Sequence, residues 1–330
     1  LVFFANLLYR EFRSEVMDSR ESATAILTGW YTGDGMGSQT DGMQSSEVEA
    51  LCPDGIEEVY TLEESRPLCG MSSEVSDLLT LLALSIVTNK DADVHHVKAS
   101  YRKYIQEGDG PGEHIRRILQ VETSKADHSL ALVRCPIHGI LKATQSQRKW
   151  LDFLKAETQI TSSSDLCLQT VLLLSSGFGL LMEEEYDDPL LFVSALAGLA
   201  KRNRLDERIV AALHTALNQK PLAVYDTKQS SFVLTTLLVV MHSLIAFDSY
   251  EDGMKALVMR GGNARTVCAL YGGFAAALYG MESIPERWTA EVFPSPALEA
   301  MIKKQTLFKR ETIRMEKLAV SLTAGLLVVA

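Results

Sequence analysis

Cysteine is sparse and unpatterned in this chain. Its five residues, Cys52, Cys69, Cys135, Cys167 and Cys268, form an odd, scattered set without C-x-x-C spacing. That excludes a zinc knuckle and suits free buried thiols in a reducing, intracellular compartment, with the mitochondrial matrix and the cytosol both open. Long apolar runs are lacking too: none reaches the roughly 18 residues of a membrane span. Residues 232–247 are interrupted and 326–330 are too few, so no span is expected. Nor is there a basic excess. A net charge of -10 and a pI near 5.3 argue against a nucleic-acid backbone or an anionic membrane as main partner. Period-two alternation is almost absent, so strands are not needed, and there is no repeat or low-complexity linker. His114, His128 and His138 have no ligand spacing, and Ser129 lacks a G-x-S-x-G context. Gly33, Gly35 and Gly37 follow a helical rather than a strand pattern, which speaks against a dinucleotide cradle. The chain opens at Leu1 without methionine, and Glu11, Glu15, Asp18 and Glu21 show that this opening is not itself a transit peptide.

What is present is concentrated in residues 260–288, RGGNARTVCALYGGFAAALYGMESIPERW. Small residues recur at every fourth position: Ala264, Cys268, Gly272, Ala276 and Gly280. A second row, Ala269, Gly273 and Ala277, runs beside it. Positions four apart stack on one helix face, so half of this helix carries little bulk. Interior glycines cost about 1 kcal/mol each, and close approach of neighbouring helices is what can offset them. The pattern predicts a buried central helix. Gly261-Gly262-Asn263 reads as a turn into an N-cap, a position that Asn suits. Arg265 falls in the first turn, where the helix dipole disfavours a cation. It either leans out to solvent or is held by a carboxylate from elsewhere.

This stretch resembles the C-terminal motif of the ADP-ribosylglycohydrolases: GGDADT, a small-residue helix, then G-x-x-x-IP-x-x-W. Residues 32–37, TGDGMG, are similar to that family's GDALG, which turns a first core helix into a loop lining the active site. Residues 101–119 resemble a tyrosine-rich helix with a glycine break. Residues 129–144 resemble NGS-x-MR-x-x-P-x-G, keeping an arginine, Pro136 and Gly139. The resemblance implies an all-α single-domain fold and hydrolases that remove ADP-ribose from modified side chains with two magnesium ions. In that family a T-D-D and a D-x-D-T motif converge, and their four aspartates and two hydroxyls hold the metals. Here Ser72, Ser73 and Glu74 stand at the first motif, and Asn263, Arg265 and Thr266 at the second. Where the family has four negative charges, Ser73, Glu74, Asn263 and Arg265 sum to none. Two unit positive charges 4 Å apart repel by about 4 kcal/mol at an effective dielectric of 20, and a divalent ion doubles that. The dimagnesium site is therefore expected to be lost, with no cofactor in its place. Arg265 is expected to pair with Glu74, with Asp34 the second candidate and separate partners or water the remaining alternative. Asp41 stands where many family members carry an acid near the substrate ribose, or is a solvated acid in a turn before Gly42.

Elsewhere the pattern predicts helices near 21–31, 75–87, 91–107, 113–120, 149–157, 165–184, 189–202, 206–219, 231–247 and 249–259, with Ser72 or Ser73 capping the second. Residues 39–71 read as a long loop around Pro53-Asp54-Gly55. Three parts follow: an N-terminal extension helix at 1–20, a family-like helical domain at 21–290, and a helical tail at 291–330 packed on the domain or on a partner. The tail mixes Lys309, Arg310, Arg314 and Lys317 with apolar residues and ends LTAGLLVVA. With the N-terminal segment, it is the expected docking element for a protein partner. The function expected is that of a catalytically inactive family-like protein with a structural or interaction role, such as a subunit of a larger assembly. One rival is a metal-independent ADP-ribose-binding module, with Arg265 meeting a phosphate at a helix N-terminus. The other is a surviving hydrolase with altered metal use and Glu74 or Asp41 as general base.

Overall fold

The computed structural model describes residues 2–59, 70–107, 126–183, 186, 188–218, 231–303 and 313–329. The helix expected at 113–120, with His114, and Cys69 lie outside them. The helices are α1 (Val2–Gly37), α2 (Ser45–Leu51), α3 (Glu74–Asn89), α4 (Val94–Glu107), α5 (Cys135–Thr144), α6 (Gln147–Thr158), α7 (Asp165–Glu183) and α8 (Pro189–Arg202). They continue as α9 (Glu207–Leu217), α10 (Val233–Ala246), α11 (Tyr250–Val258), α12 (Ala264–Tyr279), α13 (Glu286–Thr289), α14 (Pro296–Lys303) and α15 (Met315–Val329). A 3-10 turn, Ser129–Arg134, precedes α5. Among the described residues there is no strand, only isolated bridges at Met71–Phe293 and His128–Phe232. The chain is an all-α single domain.

The small-residue helix is α12, and its closest neighbour is α1. Gly29, Gly33 and Gly37 lie four apart on α1 and meet the predicted row on α12. A Cβ on Gly33 would lie 2.1 Å from the Cys268 carbonyl oxygen, and one on Gly29 would lie 2.2 Å from that of Gly272. At Gly37 the distance to the Ala264 carbonyl oxygen would be 2.6 Å. The two helices run antiparallel with backbone against backbone, and this contact offsets the glycine cost in both. On its other side α12 stacks Phe274 on Phe178 of α7, ring centroids 3.8 Å apart. Tyr250 of α11 donates from its hydroxyl to the Gly29 carbonyl at 3.1 Å. This packing sets the C-terminal end of α1 beside the N-terminal end of α12.

Several expectations are corrected. Residues 1–20 and 21–31 are not separate helices: α1 runs unbroken from Val2 to Gly37, and no glycine or proline interrupts residues 18–24. Residues 32–37 are helical rather than a loop, because Gly33 and Gly37 are packed on α12. The 39–71 segment contains α2, and residues 129–144 form the 3-10 turn and α5. The end of the tail, α15, packs on α1 and α3 and buries Met315, Leu318, Leu322 and Leu326, leaving Val328 87% exposed. Among the described residues one helix, α7, is long and apolar enough to cross a membrane by length and composition, and most of it is buried inside the fold.

Candidate functional site

Asp34, in the last turn of α1, is fully buried. Its carboxylate accepts from the Ser73 backbone N–H at 2.9 Å, from the Ser73 hydroxyl at 2.8 Å and from Arg265 Nη1 at 3.1 Å. The same Nη1 donates to the Met71 carbonyl at 3.1 Å. Arg265 therefore pairs with Asp34, not with Glu74 as the leading expectation had it. The reason is the helix contact: Asp34 faces the start of α12, whereas Glu74 opens α3 just past the N-cap residue Ser73. Ser73 caps α3 by accepting from the Val75 N–H at 3.1 Å. Burial opposes the charge on Arg265, but Asp34 first, then Asp41 and Glu74, hold its pKa above the ordinary arginine value. Its side chain is 16% exposed.

Asn263 occupies the N-cap position of α12, as expected, yet its side chain makes no cap there. Its amide instead donates to the Ser129 hydroxyl at 2.8 Å. The cap comes from Asp41, whose Oδ1 accepts the Arg265 backbone N–H at 3.1 Å, a carboxylate at the positive end of a helix dipole. Reciprocal backbone bonds, Gly42 N–H to Gly262 O at 2.6 Å and Gly262 N–H to Met43 O at 2.7 Å, hold Asp41 in place. Burial pushes the Asp41 pKa up to about 6, only partly offset by the Arg265 N–H and guanidinium. Thr266 is buried in the first turn of α12.

Ser72 faces away from this cluster. Its hydroxyl donates to Asp77 Oδ1 at 2.9 Å and accepts the Ser295 N–H at 2.9 Å. Asp77 also accepts from the Ser295 hydroxyl at 2.7 Å and from the Tyr104 hydroxyl. Burial pushes Asp77 up to about 6 despite its three hydroxyl donors. Phe293 N–H to Gly70 O at 3.1 Å and Ser72 N–H to Phe293 O at 2.9 Å complete the clasp. In the sequence Asp77 stands out only as an acid in the first turn of α3. The buried Tyr101 and Tyr104, three apart on α4, were the available signal. They lead to Asp77 and to a second buried carboxylate, Glu157. Glu157 takes Arg134 Nε at 2.6 Å, His138 Nε2 at 3.0 Å and the Tyr101 hydroxyl at 2.9 Å. Burial would raise Glu157, but Arg134 and then His138 hold it down at about 2. This explains the arginine and histidine of the 129–144 segment as core pairing.

The polar groups at the two motif positions have partners within the protein. The guanidinium of Arg265 is bonded to Asp34, the Ser72 hydroxyl is spent on Asp77, and the Asn263 amide presents a donor to Ser129. Among the described residues no three His, Cys, Asp or Glu side chains are grouped to hold a metal ion.

The fold is that of a solved structure described as an ADP-ribosylglycohydrolase-related protein complex, with a TM-score of 0.69 and 18% identity over 93% of this chain and 99% of that one. The sequence profile of the ADP-ribosylglycohydrolase family matches residues 15–316. The chain belongs to this family. It is also 31% identical over 68 residues to the ADP-ribosyl-[dinitrogen reductase] glycohydrolase of Rhodospirillum rubrum. That match spans 21% of this chain and 23% of the relative.

Proposed function

We propose that this chain is a family member without dimetal chemistry, one that serves a structural or protein-interaction role in place of hydrolysis. The observation that carries the reading is the Arg265–Asp34 ion pair, which sets a fixed cation where the family's charge balance calls for carboxylates. A divalent ion beside that guanidinium would meet repulsion of about 8 kcal/mol at 4 Å and an effective dielectric of 20. The bonds of Ser72, Ser73 and Asn263 support it further, because each polar group is already satisfied within the protein. We place the protein in a reducing intracellular compartment, in keeping with the free, buried Cys135, Cys167 and Cys268.

The test is calorimetric titration of the full chain with ADP-ribose, with and without magnesium, run beside an assay for release of ADP-ribose from a modified protein. The expected result is no magnesium-dependent heat and no release. Binding without magnesium, weakened in Arg265→Ala, would move the reading to a nucleotide-binding module. Magnesium-dependent release would overturn it.

A further inference from the structure

The chain's densest acidic run, EEEYDD at residues 183–188, lies far in sequence from the residues described above. Two exposed leucines follow it after Pro189, Leu190 at 38% and Leu191 at 59%. They are half of the large hydrophobic side chains exposed among the described residues; the others are Leu51 and Val328. Beside Leu190 opens a cavity of about 360 Å³. Leu190, Leu244, Phe247 and Tyr279 wall it, and Asp188 and Asp248 edge it. The Tyr279 hydroxyl donates to the Phe247 carbonyl at 2.9 Å and the Leu244 carbonyl at 3.4 Å. Its polar end is thereby satisfied and the ring is left as an apolar wall. Among the described residues of the lining there is no lysine or arginine. The C-terminal end of α10 and the N-terminal end of α8 meet there, so their helix dipoles oppose one another and the two carboxylates set the charge. Burial first, then the charges of Asp248 and Asp188, push up the Tyr279 phenol, in keeping with a negative field across the cavity.

An apolar wall with an acidic edge is complementary to one kind of partner surface. We propose that this face is a docking groove for a basic amphipathic segment of a partner protein, with its aliphatic side chains in the cavity and its lysines or arginines along Asp188 and Asp248. Buried apolar contact would supply affinity, and the charges would supply steering and register. The groove gives the interaction role a location, and its biological use rests on that reading.

The experiment titrates the full chain into a labelled peptide of about four helical turns, leucine on one face and lysine on the other. A scrambled isomer of the same composition controls for bare charge attraction. The patterned peptide is expected to bind about tenfold more tightly than the isomer, with affinity falling as salt rises from about 0.05 to 0.2 M. Leu190→Ser and Asp248→Asn are each expected to weaken it about tenfold, at unchanged melting temperature. Equal binding of the two isomers, or unaltered affinity in both variants, would overturn the proposal. So would self-association of the chain that Leu190→Ser abolishes while the peptide fails to bind, which would assign the groove to a second copy. ADP-ribose release by a chain that still binds the peptide would sink the functional reading and leave the groove standing.

Discussion

Replacing Arg265 by methionine tests the ion pair that closes the site. Asp34 is fully buried and would lose its counter-ion while keeping the two bonds from Ser73. Removing one partner of a buried pair costs about 3–5 kcal/mol. The lower end applies here, because the Arg265 side chain is 16% exposed and Asp34 stays hydrogen-bonded. For 330 residues, an unfolding entropy of about 2.1 cal/mol/K per residue turns 3 kcal/mol into a drop of about 4 °C in melting temperature. The assay is calorimetric melting of four proteins: wild type, Arg265→Met, Asp34→Asn and the double variant. Asparagine at 34 has no charge to leave unpaired, so the double variant should lose less than the two singles together. The expected coupling is at least about 1.5 kcal/mol. Additivity within about 0.5 kcal/mol, or an Arg265→Met melt within about 1 °C of wild type, would refute the claim that this cation sustains the buried carboxylate.

Other substitutions probe the helix contact, the titrating groups and the surface. Gly33→Ala places a methyl 2.1 Å from the Cys268 carbonyl oxygen and should cost about 3 kcal/mol or more, or abolish soluble expression. Gly198→Ala meets only the tip of Arg202, at 3.2 Å, and should stabilise by up to about 1 kcal/mol in chemical denaturation. Asp77 rises from 3.8 to about 6 on folding, so its contribution is fully present below pH 3.8 and is lost as pH rises through 6. That is worth about 3 kcal/mol, and Asp77→Asn should flatten the stability curve across this window, leaving the share of Asp41. Glu157 moves the opposite way, from 4.5 to about 2, so its contribution is present above pH 4.5 and disappears as pH falls through 2. Glu157→Gln should remove that acid loss while costing about 3–5 kcal/mol at neutral pH, because Arg134 is left buried and unpaired. Lys255 bridges Glu57 and Glu251 on the surface, and Lys255→Ala should cost less than about 1 kcal/mol in the same denaturation assay.

The helices with strong apolar periodicity were legible in the sequence, and residues 189–202 agree with α8 to the residue. Small-residue spacing announced α12 because stacking at i and i+4 is a local property of the chain. Its partner was harder to read: Gly29, Gly33 and Gly37 have the same spacing, but glycine ordinarily signals a turn, and only contact with α12 makes it helical there. The site was legible as a place and not as a wiring. Which carboxylate Arg265 would meet depends on which faces the start of α12 across the helix contact, and no spacing encodes that. Asp77 and Glu157 were missed for a related reason. Their partners lie on other elements, and a lone acid in an amphipathic helix looks the same whether its hydroxyl donors are 20 or 200 residues away.

The antiparallel contact of α1 and α12 makes the site whatever residues stand there. It drives the last turn of α1, which carries Asp34, against the first turn of α12, which carries Arg265. A buried carboxylate at that point must find positive charge or several donors. Bound divalent ions could supply it, at the cost of needing further carboxylates around them. A guanidinium supplies it with one covalently held charge, and its planar donors also reach the Met71 carbonyl. The two solutions exclude each other within a few ångströms, because a guanidinium and a divalent ion repel. Divergence of four side chains can therefore exchange the chemistry while the backbone contact that defines the fold stays intact. The fold is thus a safer inference from family membership than the activity is.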